Sequence, residues 1–211
     1  MQPYFFPYLG YYRLMAASDV FIILDTVQYQ RRGWIHRNKF TKINGQEDWL
    51  TLPILKSSRD ESKIKDVKFR ETSDMKHSIK LFTISSGLKD IEHKWPNFFD
   101  LGENLLNYLE PTIIATNKCL GFNVQVIRAS SINSDPDLKG ENLIINLCKL
   151  LGATTYINSP GGKELYTEKN FTKAGIKLNF LPEYKGSYLN AMERILKEKV
   201  TSLRSEIYSN L

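Results

Sequence analysis

The apolar run Val20-Phe21-Ile22-Ile23-Leu24 lies between Asp19 and Asp25. Such a run predicts a strand buried on both faces of a sheet, with Asp25 at its carboxyl end. Ahead of it, Leu9, Tyr12 and Ala16 suit a short helix from Tyr8 to Ala17. Behind it, Asn44-Gly45 separates two runs of β character, Asn38 to Ile43 and Asp48 to Ile54, and predicts an inserted hairpin. A polar connection over Lys56 to Arg70 leaves room for an edge strand at Ile64 to Phe69. Thr72 to Ser86 has Met75, Ile79 and Phe82 on one face, with Ser73 or Asp74 as cap, and predicts a helix ended by Gly87. Trp95 to Phe99 is an aromatic break.

Two helical patterns, Glu103 to Leu109 and Thr112 to Leu120, are divided at Pro111. Phe122 to Arg128 reads as a strand, Ser130 to Lys139 as a polar loop, and Glu141 to Leu151 as a helix before Gly152. Thr154 to Ile157 is a strand, Glu168 to Ala174 a short helix, Ile176 to Leu181 a strand, and Leu189 to Tyr208 one or two helices. Strand, helix, strand, helix, strand in that order predicts parallel βαβ units with right-handed crossovers. The expectation is a single α/β domain over residues 1–211, with a Rossmann-like mostly parallel sheet, flanking helices and an inserted β-hairpin.

The stretch from Gln2 to Asn38 breaks both regular periods by mixing aromatic and polar residues, and Pro3 and Pro7 keep its start out of a helix. That is the composition of a binding surface, with Gln2 and Tyr4 on it. In open parallel sheets ligands bind beyond the carboxyl ends of the strands. Asp25, Gln28 and Tyr29 follow the first strand, Asp135 and Asp137 follow the strand ending near Arg128, and Asn158 with Gly161-Gly162-Lys163 follows the next. Asp25 reads either as a general base or as a strand-end residue bonding loop amides. Gly161 and Gly162 let backbone amides approach an anion and Lys163 adds a cation, or the three form a plain turn without P-loop spacing. Trp34 offers a ring to stack a base or sugar while Arg37 and Asn38 fix an anion or amide edge; alternatively Trp34 is core and Arg37 a surface ion-pair partner.

Composition narrows the classes. The chain has 211 residues, 42% hydrophobic and 25% charged, with a net charge of +6 and a pI near 9.1. The charge permits an anionic partner, yet basic residues between Lys56 and Lys80 alternate with acidic ones and no nucleic-acid motif occurs, so no nucleic-acid partner is expected. Three histidines and two cysteines, Cys119 and Cys148, show no zinc spacing and no disulfide framework, so no metal site is expected. No secretory signal and no membrane-spanning apolar run is visible, which predicts a cytoplasmic protein. No G-x-S-x-G, G-x-G-x-x-G or hexapeptide repeat is present.

Gln2-Pro3-Tyr4-Phe5-Phe6-Pro7-Tyr8-Leu9-Gly10-Tyr11, Ala17-Ser18-Asp19-Val20-Phe21 to Asp25, Val27-Gln28-Tyr29 and Gly33-Trp34-Ile35-His36-Arg37-Asn38 resemble signatures of the WbqC-like protein family. Asp137-Leu138-Lys139-Gly140-Glu141 and Tyr156-Ile157-Asn158 through Gly161-Gly162-Lys163-Glu164-Leu165-Tyr166 extend the resemblance along nearly the whole chain. Members often lie among genes for O-antigen and other surface polysaccharides, which implies that pathway. They commonly carry a short apolar strand ahead of the Gln-Pro pair, and an acidic residue after the aspartate where this chain has Thr26. The resemblance implies an enzyme adding an acyl or aminoacyl group, glycine among them, to the amine of a nucleotide-linked amino sugar. Asp25 and Lys163 would be its catalytic residues and ATP a candidate cofactor. The alternative is a non-catalytic protein of the same pathway that binds a sugar nucleotide and a partner enzyme, with Trp95 to Phe99 as its exposed apolar patch.

Overall fold

A computed structural model describes residues 1–55, 62–70, 74–209 and 211. The chain is α/β with an inserted hairpin, but among the described residues its strands form three two-stranded sheets in place of the expected Rossmann-like sheet. β1 (Val20–Ile23) pairs in parallel with β4 (Gln125–Arg128), Ile23 opposite Arg128. β2 (Arg37–Thr41) and β3 (Glu47–Thr51) form the hairpin, and Gly45 at φ +84° supplies the turn that a Cβ would resist. β5 (Thr155–Asn158) pairs in parallel with β6 (Lys177–Phe180) through one crossover helix, as a βαβ unit requires. The expected continuity fails between β1 and β5. On the side of β1 away from β4, Met1 takes the neighbouring position: its ammonium donates to the Ile22 carbonyl at 2.8 Å and its carbonyl accepts from the Leu24 amide at 2.8 Å.

α1 (Leu9–Ala16) is buried almost all round, with Leu9, Tyr11, Tyr12, Arg13, Leu14 and Met15 inside. Such a helix sits within a core rather than on its surface. The long helix expected from residue 72 shortens to α2 (Met75–Ser78), capped by Asp74 through the His77 amide at 3.2 Å, and residues 71–73 fall outside the described set. Its apolar residues do go inside, but by a chain that turns at Ile79 and Phe82 and continues as a 3-10 segment, Thr83–Gly87. Gly87 therefore precedes α3 (Leu88–Lys94) instead of ending a helix. The edge strand expected at Ile64 to Phe69 is a 3-10 turn at Ile64–Asp66 with single bridges at Lys63, Lys68 and Phe69.

Pro111 does not divide α4 (Leu105–Cys119). Proline forfeits one helical hydrogen bond, yet buried Leu105, Leu106, Tyr108, Leu109, Thr112, Ile113 and Thr116 hold both halves against the same core. Asn104 caps the start through the amides of Leu106 and Asn107. The aromatic break beyond α3 is core, not an exposed patch: Trp95 and Phe98 are buried, and the Trp95 indole donates to Thr116 Oγ1 at 2.9 Å. Buried indoles place their N–H on a partner in this way.

α5 (Gly140–Leu150) and α6 (Glu168–Lys173) cover β5 and β6 through a second apolar cluster of Ile144, Cys148, Phe171 and Ile176. α7 (Ala191–Lys197) and α8 (Val200–Tyr208) close the chain against the main core through Met192, Ile195, Leu203 and Ile207.

Candidate functional site

The carboxyl ends of β1 and β4 meet at Asp25. Its side chain is fully buried, and Oδ1 accepts from the Ser130 amide at 2.9 Å while Oδ2 accepts from the Ser130 hydroxyl at 2.5 Å. Its carbonyl accepts from the Lys65 amide, and the Val27 carbonyl from Ile64, so the loop after β1 is pinned on two sides. Ser130 itself is exposed. A charge withdrawn from water requires such partners. Nothing in the sequence pattern singles out Ser130, because its link to Asp25 depends on the parallel register of β1 with β4.

The N-terminal aromatic stretch is bolted to the hairpin. The Phe5 amide donates to the Trp34 carbonyl at 3.0 Å, and Asn38 Nδ2 donates to the carbonyls of Phe5 at 3.0 Å and Phe6 at 2.7 Å. Phe6 stands at φ +45°, a backbone region costly for a side-chain-bearing residue. Asn38 is buried and is thus placed to hold this turn. Gln2 and Tyr4 lie half-buried just ahead of it: the Gln2 carbonyl accepts from Tyr11 Oη, and the Tyr4 ring sits 5.9 Å from that of Tyr11.

Trp34 remains 44% exposed, so its ring is available to a ligand. It lies 5.0 Å from the ring of Trp49, and the Arg37 guanidinium sits 4.3 Å over Trp49 while donating to the carbonyls of Gly33 and Arg32. Trp49, on the facing strand, carries no sequence signature of its own. Behind this platform Tyr29 is buried, its hydroxyl 2.6 Å from His36 Nδ1, whereas Gln28 is exposed and bridged to Lys63.

At the end of β5, Asn158 is buried, its Oδ1 accepting from the Ser159 amide. Pro160–Leu165 follows as a 3-10 segment that carries Gly161, Gly162 and exposed Lys163. A Cβ on Gly162 would lie 2.5 Å from Asn158 Nδ2, whereas one on Gly161 would meet open space. Asp135 is exposed and closes a turn by accepting from the Asp137 amide at 2.9 Å. Glu141, in the first turn of α5, accepts from the Thr167 amide and from Asn170 Nδ2, joining the start of α5 to that of α6. Asp25 and Ser130 lie beyond the carboxyl ends of β1 and β4, while Asn158 ends β5 and the glycine turn follows it, on a separate sheet. The Trp34 platform belongs to the hairpin, which Trp34 and Asn38 tie to Phe5 and Phe6.

A cleft of about 410 Å³ opens between β1 and β5, lined by Met1, Leu14, Phe21, Ile144, Cys148 and Tyr156 among others. Burial raises the Cys148 thiol to about 11 and lifts the Tyr156 hydroxyl well above its ordinary range, so both stay neutral. Among the described residues, no helix is long and apolar enough to cross a membrane, and no three His, Cys, Asp or Glu side chains group to hold a metal ion.

Residues 2–194 match the WbqC-like protein family. The uncharacterized protein Rv1507c of Mycobacterium tuberculosis is 27% identical over 200 residues, covering 88% of this chain and 81% of its own length. No solved structure matches.

Proposed function

The chain belongs to the WbqC-like protein family, and from that premise we propose an enzyme of bacterial surface-polysaccharide (O-antigen) biosynthesis. It transfers an acyl or aminoacyl group, glycine being one candidate, to the amine of a nucleotide-linked amino sugar. The observation that carries the proposal is the exposed Trp34 ring beside Trp49 and Arg37. An aromatic face with a fixed guanidinium suits a ligand that is both ring and anion, as a sugar nucleotide is.

Lys163 and the Gly161 amide hold the anionic end of the donor, the Gly162 amide being spent on the Ser159 carbonyl at 3.0 Å, and ATP would be the activating cofactor. In this reading Tyr4, Gln2, Gln28, Asn158 and Asp135 contact the substrate. The sugar amine attacks the activated carbonyl, an N–C bond forms, and the leaving group departs with the electron pair of its bond to carbon. The proton released by nitrogen passes to Ser130 Oγ as the hydroxyl proton of Ser130 moves to Asp25, which gives a buried carboxylate a route to an exposed reaction.

The test is product mass analysis after incubation with ATP and magnesium, amino acids or acetyl-coenzyme A, and amino sugars carried on dTDP, UDP and GDP. A mass gain equal to one acyl group on one sugar nucleotide is expected; no gain with any donor overturns the proposal. The complete burial of Asp25 favours a second reading, a sugar-nucleotide-binding or scaffolding protein without turnover. In that case Ser130→Ala leaves every measurable property of ligand binding in place and there is no rate to lose, whereas in the enzyme it lowers kcat with little change in KM.

A further inference from the structure

We infer that the cluster of Tyr8, Tyr184 and Tyr188, with the recess beside it, is a second binding subsite, one that takes a neutral sugar ring. Pro182-Glu183-Tyr184-Lys185-Gly186-Ser187-Tyr188-Leu189 joins β6 to α7 and sets two tyrosines four places apart. The segment has no helix or strand of its own, yet it is fastened from below. Arg194 is buried and spans the carboxylates of Glu198 and Glu206, its Nη1 and Nη2 donating to Glu206 at 2.8 and 2.9 Å. Glu206 in turn holds the Tyr184 hydroxyl, which also lies 3.1 Å from the Ser187 carbonyl. A Cβ on Gly186 would strike both Glu206 Oε1 and the Tyr184 hydroxyl, so the loop closes over this ion pair only with glycine there. At the end of the loop Asn190 bridges to Tyr8, and the Ala191 amide donates to the Pro7 carbonyl at 3.1 Å.

These clamps set out the rings. Tyr188 leans on Tyr8, with centroids 4.8 Å and planes 33° apart, and meets Tyr184 edge-on at 5.5 Å; Tyr8 and Tyr184 stand 5.3 Å apart. Tyr188 is nevertheless 67% exposed. A surface tyrosine ordinarily moves between rotamers, whereas this one has two rings behind it and loses little further freedom when a ligand settles on it. The arc continues toward the N-terminal stretch: burial raises the Tyr8 hydroxyl above its ordinary value, and the neighbouring hydroxyls of Tyr188 and Tyr4 raise it further. Tyr8 therefore stays neutral and able to donate as well as accept.

Charge decides what the site takes. Adjoining the rings through Tyr184 is a recess of about 290 Å³, lined by Arg13, Glu183, Lys185, Glu206 and Ser209 among others. The cations Arg13, Lys185 and Arg194 are matched by the carboxylates Glu183, Glu198 and Glu206, so the surroundings draw neither a phosphate nor an ammonium. The position over Tyr184 that a ligand cation would seek is taken by the Arg13 guanidinium, 5.9 Å from the ring centroid. What remains is an aromatic surface rimmed by hydroxyl, carboxylate and ammonium groups, donors and acceptors together. A pyranose ring complements it, with C–H groups on its faces and hydroxyls around its edge. The subsite does not depend on the Trp34 platform, and sugars without a nucleotide test it alone.

The experiment is saturation-transfer NMR on the full chain, titrated with methyl β-D-glucopyranoside, methyl β-D-galactopyranoside and the methyl β-glycoside of N-acetylglucosamine. The ring C–H protons of at least one glycoside are expected to receive saturation. Tyr188→Ala should weaken that binding about fivefold or more, whereas Tyr188→Phe, which keeps the ring, should retain it. Trp34→Ala should leave it in place. No transfer to any glycoside, or equal binding by Tyr188→Ala and the parent, overturns the inference. Loss in Trp34→Ala alone also overturns it, since the sugar would then sit on the hairpin platform and the sugar-nucleotide reading would stand without this subsite. Displacement of the glycoside by tetramethylammonium would make the cluster a cation site and overturns it equally.

Discussion

Both carboxylate oxygens of Asp25 are engaged by a single residue, Ser130, which reaches them with its amide at 2.9 Å and its hydroxyl at 2.5 Å. One carboxylate thereby fastens the ends of two parallel strands. Asp25→Asn puts an N–H where a hydroxyl donor must sit, and Ser130→Ala strips one partner from a buried charge. Each should destabilise the chain by about 1–3 kcal/mol. Because the two groups serve one contact, urea denaturation of both single variants and the double variant should give a coupling of about 1 kcal/mol or more. Additive losses would mean that Asp25 is held by something other than Ser130.

Asn38 spans the carbonyls of Phe5 and Phe6 while Phe6 keeps φ at +45°. Asn38→Ala removes both donors from a buried turn and should cost about 2–3 kcal/mol. Asn38→Asp, which points an oxygen at two carbonyls, should cost more. Chemical denaturation separates the two, and equal stability of Asn38→Asp and the parent would refute the role given to the amide.

What could be read from the sequence had a local cause. Asn44-Gly45 foretold the hairpin because the turn needs φ > 0, and the aspartate-bounded run foretold β1 because its burial is continuous. Of the two expected caps, Ser73 and Asp74, the one seen is Asp74, whose side chain reaches an amide three residues on. Features set by distant packing were invisible: Pro111 was expected to split a helix that buried side chains hold whole, and Trp95 was expected at the surface although Thr116, one helix away, receives its N–H. In the candidate site, the Trp34 ring and the turn after Asn158 were legible as signatures. Ser130 and Trp49 were not, since their contacts arise only when β4 and β3 are in place, and Glu141, although part of a signature, gave no sign of its bond to α6.

The buried Met1 ammonium makes stability depend on pH near neutrality. Its value falls from 8.0 to about 5 on folding, through desolvation. Between those limits the unfolded chain binds a proton that the folded chain refuses, so stability is fullest above pH 8 and declines as pH falls toward 5. Three units correspond to about 4 kcal/mol at most. Acetylating the amine abolishes the charge, and the difference in Tm between pH 8.5 and pH 5.5 should shrink in the acetylated chain. An unchanged difference would mean that the ammonium is solvated.

Trp34 should matter to ligand and little to fold. Half-exposed and with its ring tilted 46° to that of Trp49 at 5.0 Å, it should cost about 1 kcal/mol or less of stability when changed to Ala. Loss of a stacking face weakens binding of a ring by roughly 1–3 kcal/mol, which is about a 5- to 150-fold loss of affinity for immobilised UDP or dTDP. Tyr188→Ala, at a more exposed aromatic beside Tyr8 and Tyr184, is the control and should leave retention unchanged. Equal losses from both would make the effect a general one of surface aromatics.

Adjacent glycines after β5 should answer the same substitution differently. Gly161→Ala adds a methyl to open space, while Gly162→Ala drives one to within 2.5 Å of Asn158 Nδ2. Neither glycine needs a left-handed backbone, so any difference comes from space alone. Gly161→Ala should keep or slightly raise Tm by limiting the unfolded chain. Gly162→Ala should cost about 1–3 kcal/mol by displacing a buried amide that also accepts from the Ser159 amide. Shortening the neighbour relieves the clash, so Gly162→Ala combined with Asn158→Ser should be less destabilised than the sum of the two single changes. Strict additivity of that pair would show that Gly162 is kept for some reason other than the approach of Asn158.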